Sequence, residues 1–293
     1  MADSQVLKLG IPKGSLQDST IKLFANSGWK IRLHHRNYFP DINDPGIHCS
    51  LCRAQEMPVY VEDGTLDVGL TGKDWILENE ADVVTVSELV YSKTSNRPAR
   101  WVLAVAGDSP YRRPEDLAGK KIATELEHFT RNYFHNANIP VDVEFSWGAT
   151  EAKVVNGLAD AIVEVTETGT TIRAHGLKII AELLVTSTQL IANREAWENP
   201  WKRQKIEQMN TLLQGALHAE NLVGLKMNVH EDNLDALIEL LPSLTSPTVA
   251  HLHQPGWLSL EIVVEESIVR DLVPKLQAIE VEGIIEYPLN KVI

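Results

Sequence analysis

Cysteine is nearly absent: two residues among 293, which allows no disulfide framework and makes a reducing compartment the default. Long apolar runs are missing too. No stretch approaches the roughly 20 residues of a membrane span, and the first ten residues lack the basic and apolar regions of a secretory signal. These absences predict a cytoplasmic chain without a membrane partner. Positive charge is scarce, with 27 Lys and Arg against 40 Asp and Glu, a formal net charge of −13 and a pI of about 5.2. That balance excludes a general nucleic-acid binder, which needs a basic footprint. It leaves small anions open, because clustered backbone amides and a few cations overcome a negative overall field locally. Cys49-x-x-Cys52, with His48 beside it and His34 and His35 upstream, lacks the second pair that a structural zinc site requires. The two thiols read as ordinary residues beside a strand.

What is present suits two or three globular domains. Residues 6–11 read as a buried strand broken by Pro12-Lys13-Gly14-Ser15, and a helix follows with Ile21, Phe24 and Ala25 on one face and Gly28 as its stop. Further strands are expected at residues 66–70, 101–105, 121–124, 141–145, 161–165 and 177–184, with helical patterns at 75–79, 130–137 and 149–158 between them. Such alternation predicts mainly parallel sheets covered by helices. Residues 202–218 carry a one-sided apolar stripe, Ile206, Met209, Leu212, Leu213, Ala216 and Leu217. Beyond it the rhythm changes to strand, helix, hairpin, helix and strand, the βαββαβ order of the ferredoxin-like fold. There is no internal repeat and no low-complexity linker.

One segment carries chemistry: Asp160-Ala-Ile-Val-Glu164-Val-Thr166-Glu167-Thr168-Gly169-Thr170-Thr171. An apolar strand runs into carboxylates, then into a Thr/Gly turn that opens a helix. Gly169 lets the backbone approach a ligand, the first helical amides point outward without partners, and threonine hydroxyls add uncharged donors. The product is a cradle for a phosphate monoester, with Glu164 and Glu167 placed for ribose hydroxyls or Mg2+. A plain strand-to-helix turn with a threonine cap is the competing reading. Neither a Walker loop nor a Rossmann fingerprint is present, since Gly-Lys-Ser/Thr and two of three glycines are missing.

This loop resembles the phosphoribosyl-pyrophosphate loop of the ATP phosphoribosyltransferases, and the surrounding segments follow the same family in order. Leu9-Gly-Ile-Pro-Lys13-Gly14-Ser15-Leu16 is similar to its first motif. Arg53-Ala-Gln-Glu-Met-Pro58-Val-Tyr-Val61 and Gly64-Thr-Leu-Asp67-Val-Gly69-Leu-Thr-Gly72-Lys-Asp74 are similar to its second. Arg100-Trp-Val-Leu-Ala-Val, Leu117-Ala-Gly119-Lys-Lys-Ile-Ala-Thr124 and Gly148-Ala-Thr-Glu151 continue in register. The resemblance implies an α/β fold of two mixed or parallel lobes like type II periplasmic binding proteins, plus a C-terminal ferredoxin-like βαββαβ regulatory domain. Lobe I would hold residues 1–100 with 185–218, lobe II residues 101–184, and the regulatory domain residues 219–293. It implies transfer of a phosphoribosyl group to N1 of the ATP adenine, opening histidine biosynthesis, with Mg2+ mainly substrate-bound, histidine as inhibitor, and dimers assembling into a hexamer.

Residue by residue, the resemblance gives Glu164, Thr166, Glu167, Thr168, Gly169, Thr170 and Thr171 to the donor. Lys13, Gly14, Ser15, Arg53, Gly72, Asp74 and Arg100 go to ATP and pyrophosphate, with a surface salt bridge as the other reading of either arginine. Asp67 reads as structural. Histidine contacts map onto Asn228, Leu244, Thr248 and Gly283. Three positions depart from the family pattern: Ser15 stands where many members carry Arg, Glu164 replaces the usual Asp, and Asn228 replaces Asp. The last change removes a charge-assisted bond to an amino group, so weaker or altered histidine feedback is expected. The competing functions are a non-catalytic two-lobed binding protein and an idle regulatory subunit; neither a signal peptide nor a helix-turn-helix accompanies the lobes.

Overall fold

The computed structural model describes residues 5–34, 37–91, 98–242 and 246–293. Two compact units emerge, one of Met1–Ala25 with Trp29–Asn210 and one of Asn26–Gly28 with Thr211–Ile293. The division falls inside the long helix Pro200–Ala219.

The larger unit holds two five-stranded sheets. The first runs, in spatial order, Ile47–Arg53, Leu7–Lys13, Val68–Gly72, Thr188–Ala192 and Val84–Leu89. Its centre is closely packed because Gly10 pairs with Gly69 across adjacent parallel strands. A Cβ at either glycine would collide with Met57, so the helix Met57–Glu62 lies almost on the backbone. Pro58 at the first turn of that helix costs nothing, since its missing N–H would have no partner there.

The second sheet runs Leu177–Thr186, Ala99–Ala106, Ala161–Thr166, Lys121–Thr124 and Asp142–Phe145. The unbroken apolar run from Trp101 to Val105 is explained by cover on both sides. Trp101, Leu103 and Val105 join a cluster with Ile122, Leu126 and Phe134, while Val102 and Ala104 face Ile162, Val154 and Ile172. A strand buried on both faces has no polar side to alternate with.

Both sheets are mixed rather than mainly parallel. Ala99–Ala106 pairs antiparallel with both neighbours, and so does Thr188–Ala192. These are the strands that begin just after the chain passes from one sheet to the other. Ile47–Arg53, Val84–Leu89 and Thr188–Ala192 were not expected as strands. Ile47–Arg53 carries His, Ser and two Cys in place of β-branched residues, and Thr188–Ala192 begins on polar residues although all five are buried.

The smaller unit has the expected βαββαβ order. Leu222–His230, Thr248–His251, Trp257–Glu265 and Glu282–Pro288 form one antiparallel sheet in the order second, third, first, fourth, which is ferredoxin-like. Leu225, Met227, Val229, Leu258, Leu260 and Val264 point to one face and pack against Leu237, Leu272 and Leu276 of the two helices. No helix among the described residues is long and apolar enough to cross a membrane.

Asp67 is an anchor of the first sheet. Its carboxylate accepts from the Lys8 amide at 2.8 Å and from Lys202 Nζ at 2.7 Å, and its side chain is 6% exposed. Removing it strands an amide and half-buries an unpaired ammonium. Asp67→Ala should therefore lose about 2 kcal/mol or more of stability in urea unfolding.

A cleft between two sheets

The candidate site is a cleft of about 770 Å³ whose lining comes from both sheets of the larger unit. From the first sheet come Pro12 and Lys13 at the end of the strand Leu7–Lys13 with Gly14 and Ser15 just after it, Arg53 at the end of its edge strand, and Gly72 and Asp74 where Val68–Gly72 turns into a helix. From the second come Thr166, Glu167, Thr168 and Thr171. Strand ends are where backbone polar groups run out of ladder partners, so ligand sites of α/β folds gather there.

The turn at 166–171 is self-organised. Gly169 adopts φ +74°, a left-handed conformation that side chains resist, and its amide donates to Thr166 Oγ1 at 2.8 Å. Thr168 and Thr170 hydroxyls lie 2.8 Å apart, and Arg173 Nη2 donates to the Thr168 carbonyl at 3.0 Å. The following helix, Thr170–Ala174, has only five residues, so its dipole is small; what it offers is the outward amides of a first turn. Glu164, Gly169 and Thr170 support this turn without lining the cleft.

Glu164 sits behind it, its pKa pushed up to about 7 by burial and, more weakly, by the negative charges of Glu151 and Glu125. The Val165 amide, at 3.1 Å, opposes the shift, as does the buried Thr150 hydroxyl, whose geometry falls short of a hydrogen bond. Among the described residues no group of three metal-ligating side chains exists. A cation reaching this cleft would have to arrive largely coordinated by its ligand, with Glu167 or Glu164 adding an oxygen.

Asp74, expected as an orienting residue, is buried at 5% exposure. Its Oδ2 accepts from Trp101 Nε1 at 2.6 Å, and its Oδ1 from the Thr186 hydroxyl at 3.0 Å, while its own amide donates back to Thr186 Oγ1 at 3.2 Å. Burial raises its pKa against these bonds. Trp101 and Thr186 belong to the second sheet, so one carboxylate joins both. Arg100 does not reach the cleft: its guanidinium pairs with Glu182 at 3.0 Å on a neighbouring strand. Lys13 Nζ rests 4.3 Å from the centre of the Tyr38 ring.

The sequence did not single out the seam Thr186-Ser187-Thr188, which lines the cleft with Tyr91, Trp75 and Trp101. Ser187 donates to Glu88 and accepts from Gln189. Three hydroxyl residues between two apolar strands were the available signal. Cys49 and Cys52 are free, with burial pushing each thiol up to about 12, in keeping with inert thiols. In the smaller unit, Asn228, Thr248 and Gly283 lie on three different strands. By strand register Asn228 and Thr248 share the sheet face opposite the helices, and Gly283 packs close to the Asn228 amide. Leu244 and His35 fall outside the described residues.

Comparisons with known proteins agree on one family. A family model described as ATP phosphoribosyltransferase matches residues 53–215, and one described as the HisG C-terminal domain matches residues 219–291. An ATP phosphoribosyltransferase of Solidesulfovibrio magneticus is 75% identical over the whole of both chains, and one of Nitratidesulfovibrio vulgaris is 70% identical, again over the whole of both. Among solved structures, a chain of an ATP phosphoribosyl transferase (HisG:HisZ) complex from Thermotoga maritima is 28% identical, with a TM-score of 0.62, covering 71% of this chain and 97% of its own length.

Glu164 makes a titration visible. Its folded pKa of about 7 exceeds the ordinary 4.5, so protonation favours the folded state. That stabilisation is full below pH 4.5 and is lost as pH rises through 7. In urea unfolding, Glu164→Gln should gain stability relative to wild type between pH 5 and pH 8. A constant difference across that range would remove the raised titration.

Proposed function

The chain belongs to the ATP phosphoribosyltransferase family, and from that premise we propose that the turn at 166–171 holds the ribose 5′-phosphate of the donor while the opposite wall holds ATP and pyrophosphate. The reaction joins N1 of the ATP adenine to C1 of 5-phosphoribosyl 1-pyrophosphate and releases pyrophosphate, the first step of histidine biosynthesis. The C1–O bond breaks as C1–N forms, and the electron pair leaves with pyrophosphate. The observation that carries the assignment is the cleft itself, where Lys13, Gly14, Ser15 and Arg53 face Thr166, Glu167, Thr168 and Thr171.

The chemistry asks the protein mainly for position and charge. Two large anions must meet in a chain of net charge −13, so the donors have to be local. Outward amides and threonine hydroxyls neutralise the monoester without adding cations. Lys13, free to leave the Tyr38 face, and Arg53 serve the departing pyrophosphate. Ser15 supplies a hydroxyl where many relatives have a guanidinium, which leaves more of that task to these two. Glu164, one methylene longer than the usual Asp, stands behind the turn and acts on the donor through it. The divalent metal that the reaction needs is Mg2+ in this reading, carried on the donor's pyrophosphate, where it spreads the leaving group's charge. Arg100, paired with Glu182, has an organising rather than a ligand-binding place.

In the smaller unit, Asn228, Thr248 and Gly283, with Leu244, are assigned to inhibitory histidine. Asn228 offers an amide where a carboxylate would pair with the ligand's amino group, so feedback is weakened. In this reading the protein works in the cytoplasm, as dimers assembling into a hexamer.

Thr171→Ala removes a hydroxyl beside a charged phosphate and should raise the KM for the donor about ten-fold or more, leaving the KM for ATP near wild type. Gly169→Val should do so more severely, because a Cβ there comes within 2.8 Å of Arg173 Nη1 and the backbone is left-handed. Unchanged donor kinetics in both variants would reject the loop assignment. For histidine, calorimetry should show binding that tightens in Asn228→Asp; tight wild-type binding indifferent to Asn228→Ala would rule the contact out.

A further inference from the structure

The segment Lys13-Gly14-Ser15-Leu16 joins the strand Leu7–Lys13 to the helix Gln17–Ser27. Gly14 makes the turn at φ +108°, and a Cβ built on it would meet no atom within 4 Å. Packing around Gly14 therefore does not fix the segment, and hydrogen bonds must. The Gln17 amide donates to the Gly14 carbonyl at 3.1 Å, and the Thr20 amide to the Leu16 carbonyl at 2.9 Å. Thr20 adds a second bond to the same carbonyl, from its hydroxyl at 2.7 Å. A threonine inside a helix that bonds back four residues weakens the helix slightly, so the bond asks for another explanation.

Tyr91 supplies one. Its hydroxyl lies 2.7 Å from Thr20 Oγ1, and both residues are buried. Thr20 has one hydroxyl proton, which goes to the Leu16 carbonyl, so the phenol is the donor of this pair. The result is a polarised chain, Tyr91 O–H to Thr20 O–H to Leu16 C=O. Bonds in such a chain strengthen one another away from water.

We propose that Tyr91 is a positioning residue of the reaction: its hydroxyl, acting through Thr20 and Leu16, holds the Lys13–Ser15 segment where that segment meets pyrophosphate. The proposal rests on the reading of the main cleft given above and adds what keeps that wall in place.

Three further observations support it. Tyr91 lines the cleft together with Leu16, yet its hydroxyl is spent on Thr20, so it reaches substrate through the segment. On the other side, the Tyr91 carbonyl accepts from Thr188 Oγ1 at 3.4 Å, and Thr188 belongs to the seam that also lines the cleft. One tyrosine thus ties the Lys13 segment to the strand Thr188–Ala192. Burial raises the phenol's pKa above its ordinary value, against the pull of Thr20 and Thr188. The phenol stays protonated at neutral pH, and the direction of the chain does not change there.

The test uses inorganic pyrophosphate as a product inhibitor of wild type, Tyr91→Phe, Thr20→Val, Thr20→Ser and the double variant Tyr91→Phe/Thr20→Val. Tyr91→Phe and Thr20→Val each remove one hydroxyl with little change of shape, and rates are read well below each melting temperature. Each should raise the inhibition constant about five-fold or more. The double variant should stay within about two-fold of the weaker single one, because both cut the same chain. Thr20→Ser, which keeps the hydroxyl, should stay within about two-fold of wild type.

An unchanged inhibition constant in Tyr91→Phe, even with a lower melting temperature, gives the hydroxyl a purely stabilising place and overturns the proposal. Fully additive losses in the double variant overturn it too, as does Thr20→Ser as impaired as Thr20→Val. Lys13→Ala separates this from the reading of the wall. If Lys13→Ala weakens pyrophosphate and Tyr91→Phe does not, the positioning chain fails and the wall stands. If Lys13→Ala has no effect, the wall's reading fails and the positioning role falls with it.

Discussion

The larger unit depends on a nearly buried carboxylate. Asp74 starts a helix in the first sheet and takes hydrogen bonds from Trp101 and Thr186 of the second. Bonds to a buried charged group are worth about 1.5–3 kcal/mol each, and leaving such a group unpaired costs more than the bonds return. The two sheets are therefore held to one mutual position at the floor of the cleft. Trp75 edges onto Trp101 with ring centres 6.2 Å apart, and Glu78, one turn on, caps the helix Glu127–Asn136. Three contacts from a six-residue helix set the distance that two anionic substrates must span.

The walls of the cleft do different work because they are made of different things. The turn at 166–171 is built from uncharged donors on a backbone bent at Gly169, so in the proposed role it would hold phosphate without adding cations to an acidic protein. The facing wall carries two cations, each set against an aromatic ring, Lys13 on Tyr38 and Arg53 on Trp147. Cations stored on rings are ordered before substrate arrives and lose less freedom on binding.

Much of this was legible in the residues. The Thr/Gly turn at 166–171, the first-sheet motif and the βαββαβ rhythm all rest on local pattern, and local pattern survives folding. What was not legible came from pairing between distant segments. Arg100 follows its strand to Glu182, eighty-two residues on, and nothing near it in sequence says so. Asp74 was assigned to the ATP and pyrophosphate side, and nothing near it in sequence announces its bonds to Trp101 and Thr186. The strand at Thr188–Ala192 begins with Thr-Gln and is wholly buried, because its neighbours on both sides are strands of the first sheet rather than water. The mixed sheets are of the same kind: strand direction is settled by pairing between distant segments, which hydrophobic period does not encode.

The two cysteines, dismissed as ligands, have a use of another kind. Cys49 is fully covered and Cys52 half-covered, and their thiols ionise only near pH 12, so alkylating and fluorescent reagents find almost no thiolate in the native protein at neutral pH. The chain is a blank background for labelling. One cysteine introduced on each sheet could carry a dye or spin label without removing either native residue, and the separation of the two walls could be followed directly as substrates bind.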